Sequence, residues 1–133
     1  MRYEEMEKMV GLLVPMGVSK VRLTGGEPFV RKGFPEFLAR LRAAHPDIDL
    51  RLTSNGVMLA PHASLLKDLG VRVNLSLDSL RPERFAAVTG RDLLPRVMEA
   101  LDALQKHGVP LKLNAVAMRG VNDDELPDFL RLA

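Results

Sequence analysis

The chain has 133 residues and a mass of 14.7 kDa, about one domain's worth of polypeptide or part of a larger one. With 47% hydrophobic and 27% charged residues it has the side chains for a packed core, and a disordered composition is excluded. A net charge of +2 gives no argument for binding nucleic acid or membrane surfaces, and the absence of cysteine leaves no disulfide framework, thiol nucleophile or thiolate metal site. His45, His62 and His107 lack metal-ligand spacing, so no metal site is expected. No apolar run approaches the roughly 20 residues of a membrane span. Met1-Arg2-Tyr3-Glu4-Glu5 lacks the apolar core of a secretory signal, so the expected location is cytoplasmic.

Met6, Met9, Val10 and Leu13 fall at i, i+3, i+4, i+7 and predict an amphipathic helix from about Tyr3 to Met16, closed by Gly17. Ser19 to Thr24 reads as a strand. Phe34, Phe37, Leu38 and Leu41 repeat the helical spacing, with Pro35 in the first turn. Leu50 to Thr53 is a strand ending in the turn signal Ser54-Asn55-Gly56. Pro61 opens a short helix to Leu69, stopped by Gly70, and Val71 to Leu77 is the next strand. Pro82 starts a helix that ends by Gly90. Leu94, Val97, Met98, Leu101 and Leu104 define a longer one, stopped at Gly108. Leu111 to Ala117 is the fourth strand, and Asn122-Asp123 caps a last helix running to Ala133. Strands alternating with helices argue for parallel strands joined by right-handed crossovers. The expectation is one domain over residues 1–133, the central portion of a longer βα series cut at both ends.

Parallel strands covered by helices on both faces are apolar throughout. These are not. Lys20, Arg22 and Thr24 alternate with Val21 and Leu23, and Arg51, Thr53 and Asn55 with Leu50 and Leu52. Arg72, Asn74, Ser76 and Asp78 alternate with Val71, Val73, Leu75 and Leu77, and Lys112 and Asn114 with Leu111, Leu113 and Ala115. One face therefore takes the helices, and the other is polar and basic. An open partial barrel holding a charged ligand fits this pattern. An antiparallel sheet with one wet face is the competing reading.

Function in βα folds sits at the carboxyl ends of the strands. Those ends read Gly25-Gly26-Glu27, Thr53-Ser54-Asn55, Ser76-Leu77-Asp78 and Asn114, all small or hydrogen-bonding residues. Gly25-Gly26 lets backbone approach a ligand closely, Glu27 adds a carboxylate, and Pro28 stiffens the exit. A small cationic ligand with an amino group suits this arrangement; a tight turn with a solvated Glu is the plain alternative. Arg22, Arg51, Arg72 and Lys112 lie deeper on the same face and favour an anion such as carboxylate or phosphate. Each cation could instead belong to an internal pair with Asp78.

Several segments in one order carry a resemblance. They are Arg22-Leu23-Thr24-Gly25-Gly26-Glu27-Pro28 with Arg31-Lys32, Thr53-Ser54-Asn55-Gly56, Asn74-Leu75-Ser76-Leu77-Asp78-Ser79 and Val88-Thr89-Gly90-Arg91-Asp92. Lys112-Leu113-Asn114 and Arg119-Gly120-Val121-Asn122-Asp123-Asp124-Glu125 complete the set. Together they resemble the GTP 3′,8-cyclase family of radical S-adenosylmethionine (SAM) enzymes, which opens molybdenum cofactor biosynthesis. The resemblance covers essentially the whole chain. It implies an α/β fold that is part of an open (β/α) partial TIM barrel with helices outside. It further implies that Gly25, Gly26, Glu27, Ser76 and Asn114 bind SAM, and that Arg22, Thr53 and Lys112 bind GTP.

The resemblance also implies a [4Fe–4S] cluster, for which this chain holds no cysteine ligands. Gly33 and Ser54 differ locally from the residues usual in the family. The expectation is therefore a central fragment, inactive alone, that binds SAM and GTP and self-associates through bare edge strands. A fragment of another radical SAM enzyme and a non-catalytic binding or assembly module are the alternatives.

Overall fold

The computed structural model describes residues 1–132. Its elements follow the expected alternation: α1 (Tyr3–Leu13), β1 (Lys20–Leu23), α2 (Phe34–Ala44), β2 (Asp49–Ser54), α3 (Ala63–Asp68), β3 (Arg72–Ser76), α4 (Pro82–Thr89), α5 (Leu94–Lys106), β4 (Leu111–Asn114) and α6 (Leu126–Leu132). The strands form one four-stranded parallel sheet in the order β1-β2-β3-β4. Sequential order with a helix in every crossover is the arrangement of a (β/α) barrel segment; a doubly wound sheet reverses its order at a switch point. The antiparallel alternative is thereby excluded.

Side-chain alternation decides which face the helices cover. Leu50, Leu52, Val73 and Leu75 point to the helical layer and are almost completely buried. There they join Phe37, Leu38 and Leu41 of α2, Leu66 of α3, and Val97, Leu101 and Leu104 of α5 in one core. Each such side chain is worth about 1.5–3 kcal/mol relative to exposure. On the opposite face Arg22, Arg72, Lys112 and Asn114 are exposed and Arg51, Thr53, Asn74 and Ser76 half-buried.

Several boundaries differ from the sequence pattern for identifiable reasons. The first helix is α-helical only to Leu13, and Val14–Met16 tightens into a 3-10 turn around Pro15. A proline that cannot donate to the helical ladder accounts for this. A short 3-10 turn, Pro28–Val30, follows β1, with the Glu27 carboxylate accepting from the Phe29 amide at 3.5 Å. The fourth strand stops at Asn114, because beyond it the Val116 amide donates to the Asp78 carboxylate at 2.9 Å and leaves the strand ladder. Asn122 does not cap α6 with its side chain; a 3-10 turn at Asp123–Glu125 comes first, and the Asn122 amide turns inward instead.

Away from the strand ends, Arg42 of α2 donates to the carbonyls of Leu69 (2.7 Å), Pro46 (2.8 Å) and Ile48 (2.9 Å). It closes the floor of the sheet, where helix termini would otherwise leave acceptors unpaired. Among the described residues no helix is long and apolar enough to cross a membrane. Within this sheet β1 and β4 each pair on one side only.

Candidate functional site

The register sorts the polar face into rows. Lys20 and Asp49 pair at the base, and Arg22, Arg51 and Arg72 are cross-strand neighbours in the row above. Thr53, Asn74 and Lys112 form the next, and Ser76 pairs with Asn114 in the uppermost. The three arginines are not equivalent. Asp49, two residues before Arg51 and so on the same face of β2, accepts from its Nη2 at 2.7 Å and its Nε at 2.9 Å. That hydrogen bond holds the Asp49 carboxyl below its ordinary value. Arg72 approaches the same carboxylate more loosely, at 3.9 Å. The internal partner is therefore Asp49 and not Asp78. Arg22 and Lys112 make no ion pair among the described residues. They sit one row apart on opposite edge strands, which are three strand spacings or roughly 14 Å from each other across the sheet.

Above the rows, Gly25 and Gly26 leave β1 with φ of 104° and 31°. An added Cβ at either would meet no atom within 4 Å, so the space beside this backbone is open. Positive φ and bare backbone are what glycine alone adopts cheaply. The Glu27 carboxylate is already engaged: it accepts from the Ser54 hydroxyl at 2.7 Å and the Asn55 amide at 3.1 Å. It ties the end of β1 to the end of β2 through Oε2, while Oε1 has only the Phe29 amide at 3.5 Å, and it makes no ion pair among the described residues. Gly56 completes the turn; its amide donates to the Ser54 hydroxyl at 3.0 Å.

A cleft of about 630 Å³ opens beside this turn. That lies within the usual range for small-molecule sites. It brings together Gly26, Glu27 and Ser76 of the expected ligand-binding residues with Asn55 and Asp78 of the strand ends, and adds Phe85, Thr89 and Arg91. Met58, Val57 and Leu93 supply an apolar floor. Gly25 and Arg22 line a second hollow of about 430 Å³ against α1. Lys112 borders a smaller one of about 150 Å³ with Arg51 and Asn74. Asn114 stands beside Ser76 in the sheet but borders none of these hollows. Arg91 and Phe85 have no sequence signal beyond the Thr89-Gly90-Arg91 segment. The Thr89 hydroxyl donates to the Phe85 carbonyl at 2.7 Å and accepts from the Arg91 amide at 3.3 Å. This turn brings Arg91 to the cleft as its one cation among the described lining residues.

The sequence pattern of the radical SAM superfamily matches residues 1–133. The chain belongs to that superfamily. It is 48% identical over 134 aligned positions to a GTP 3′,8-cyclase of Nautilia profundicola, covering 100% of this chain and 42% of the relative. A GTP 3′,8-cyclase of Heliobacterium modesticaldum is 47% identical, covering 99% of this chain and 41% of its own length. A probable GTP 3′,8-cyclase of Pyrococcus abyssi is 43% identical, with 100% and 43% coverage. The chain thus spans about two fifths of the length of these relatives. A solved structure of anSMEcpe with bound AdoMet and a Kp18Cys peptide superposes with a TM-score of 0.72. It is 26% identical and covers 85% of this chain and 34% of that one. The radical SAM core and the partial-barrel reading of the strands agree.

The superfamily implies two groups, and the residues present treat them differently. The cleft fits SAM by the chemistry of its lining. The Gly26 backbone and the Glu27 and Asp78 carboxylates can accept from an ammonium, Arg91 can hold a carboxylate, and the apolar floor suits a flat base. An iron–sulfur cluster does not fit. Thiolates are its usual ligands, the chain has no cysteine, and the described residues contain no cluster of His, Asp and Glu placed to hold a metal ion.

Proposed function

We propose that this chain is the SAM- and GTP-binding central portion of a GTP 3′,8-cyclase of molybdenum cofactor biosynthesis. SAM takes the cleft at the ends of β1 to β3, with its amino group at the Gly25-Gly26-Glu27 turn and its carboxylate toward Ser76 and Arg91. Glu27 meets the amino group and, through Ser54 and Asn55, holds the glycine turn in shape. Asn114 supports Ser76 from the neighbouring strand. GTP lies across the polar face, its phosphates meeting Arg22 and Lys112 from two sides and its sugar near Thr53. When bound to a reduced cluster, SAM supplies radical chemistry; this chain's own residues bind and orient the two ligands.

The observation that carries the reading is the division among the cations. Arg51 is neutralised by Asp49, whereas Arg22 and Lys112, the two that the family resemblance assigns to GTP, are left for an anion. Calorimetric titration with SAM, GTP and ATP tests it. Both SAM and GTP are expected to bind, GTP with a Kd on the order of 0.1–1 mM and ahead of ATP. Uptake of SAM without GTP would favour a radical SAM protein with another substrate, a reading the peptide-bound structural relative makes concrete. Uptake of neither would overturn the assignment.

A further inference from the structure

The backbone ladder between β3 and β4 ends where the Leu77 amide donates to the Asn114 carbonyl at 2.9 Å. The pairing nevertheless continues, carried by side chains. The Asp78 carboxylate takes the Val116 amide at 2.9 Å. The Asn122 side-chain amide donates to the carbonyls of Asp78 (2.6 Å) and Val116 (2.9 Å), and its oxygen accepts from the Met118 amide at 2.7 Å. One turn further on, the Glu125 carboxylate accepts from the Leu80 amide at 2.7 Å, the Ser79 hydroxyl at 2.8 Å and Arg84 at 3.1 Å.

Asn122 is 2% exposed and Glu125 is 0% exposed. Burying an amide and a carboxylate is costly unless each is satisfied, and here both are. Burial disfavours the charged Glu125, but its three donors outweigh this and leave its carboxyl below the ordinary value. Plain loop closure could use apolar residues at less cost. What these two side chains achieve is convergence on one short segment. Asn122 grips the carbonyl of Asp78, and Glu125 grips the next two residues, Ser79 and Leu80. Asp78 and Ser76 form the wall of the large cleft that faces Gly26.

We infer that Asn122 and Glu125 are positioning residues of that cleft. They extend the β3–β4 pairing past the last strand residue and fix the Ser76–Asp78 wall at its distance from the glycine turn. The inference rests on the assignment of SAM to this cleft. Arg22, Thr53 and Lys112 lie within the regular strand pairing below the clamp, and none of them bonds to Asn122 or Glu125, so the clamp acts on SAM and not on GTP.

The test titrates the chain with SAM and with GTP as wild type, Asn122→Ala and Glu125→Gln, alongside amide hydrogen exchange. Asn122→Ala is expected to weaken SAM about tenfold and leave GTP within twofold. Glu125→Gln keeps an acceptor for the Leu80 amide, so a loss of about threefold is expected, and this variant carries the test if Asn122→Ala does not fold. Exchange at Leu77, Leu80 and Val116 should quicken about tenfold in Asn122→Ala with no ligand present. Equal weakening of both ligands, or faster exchange with SAM affinity unchanged, would make the clamp merely structural and overturn the inference. Wild-type chain that takes up no SAM would overturn the assignment of the cleft, and exchange would then decide alone whether the clamp fixes its wall.

Discussion

Gly56 is where the core meets the ligand turn, and Gly56→Ala probes both. Its φ is +86°, and an added Cβ would lie 2.6 Å from Leu75 Cδ1 and 3.2 Å from Val97 Cγ1. Leu75 and Val97 are fully buried, so neither can swing into solvent. Left-handed backbone costs an L-residue about 1–2 kcal/mol. Overpacking a filled core adds about 1–3 kcal/mol. The sum, about 2–5 kcal/mol, is a large fraction of the roughly 5–15 kcal/mol that holds a domain together. Gly90→Ala separates the two parts: its φ is +72°, but no atom lies within 4 Å of the added carbon, so only the backbone cost should appear. Urea unfolding of the two variants and wild type, read by circular dichroism with m held common, gives the difference. Gly56→Ala should lose at least about 1 kcal/mol more than Gly90→Ala, by the overpacking estimate above. Equal losses would refute the close packing of the β2 turn on Leu75 and Val97.

Three further outcomes follow from the same structure. The carboxyls of Asp49, Asp124 and Glu125 all lie below their ordinary values, so their contribution to stability is present above the unfolded pKa, near 4, and is lost as pH falls through the lower folded values. Midpoint denaturant concentration should therefore be level above about pH 5 and fall steadily below pH 4; a rise on acidification would contradict the pairing of these groups. Anaerobic reconstitution of the chain with iron and sulfide should leave a colourless protein after desalting, because no thiolate is present, and retained stoichiometric iron and sulfide would count against this. The one-sided edges of β1 and β4 should support association between copies, seen as a concentration-dependent sedimentation coefficient; a monodisperse monomer at all concentrations would remove that expectation.

The alternation of Arg51 and Thr53 with Leu50 and Leu52 already separates a helix-covered face from a wet one, since a period of two on a parallel strand has few other meanings. Helix starts at Pro35 and Pro82 are similarly legible, as proline fits the first turn, whereas Pro61 lies in a 3-10 turn, Ala60–His62, just before α3. What pattern alone misses is partnership across the chain. The apolar run Ala115-Val116-Ala117 extends β4 on paper, but Asp78 captures the Val116 amide and ends the strand. Asn122 has the residue type of a cap, yet it lies close to two carbonyls and one amide that no local rule brings together. Asp49 falls outside the apolar run of β2, so its pairing with Arg51 is invisible until the strand is seen to begin one residue earlier. The candidate site was legible at Gly26, Glu27 and Ser76; Arg91 and Phe85 reach the cleft through the fold of the Thr89 turn.

The functional reading turns on the polar face holding a nucleoside triphosphate through Arg22 and Lys112. Titration with GTP of wild type, Arg22→Ala, Lys112→Ala and Arg51→Ala, at two salt concentrations, decides it. Losing either free cation should cost about 1–2 kcal/mol of binding, as for a contact to a charged group, and affinity should fall as salt rises. Arg51→Ala should cost less, because that guanidinium is already held by Asp49. Equal losses at all three positions would contradict the reading and reduce the site to a diffuse basic surface.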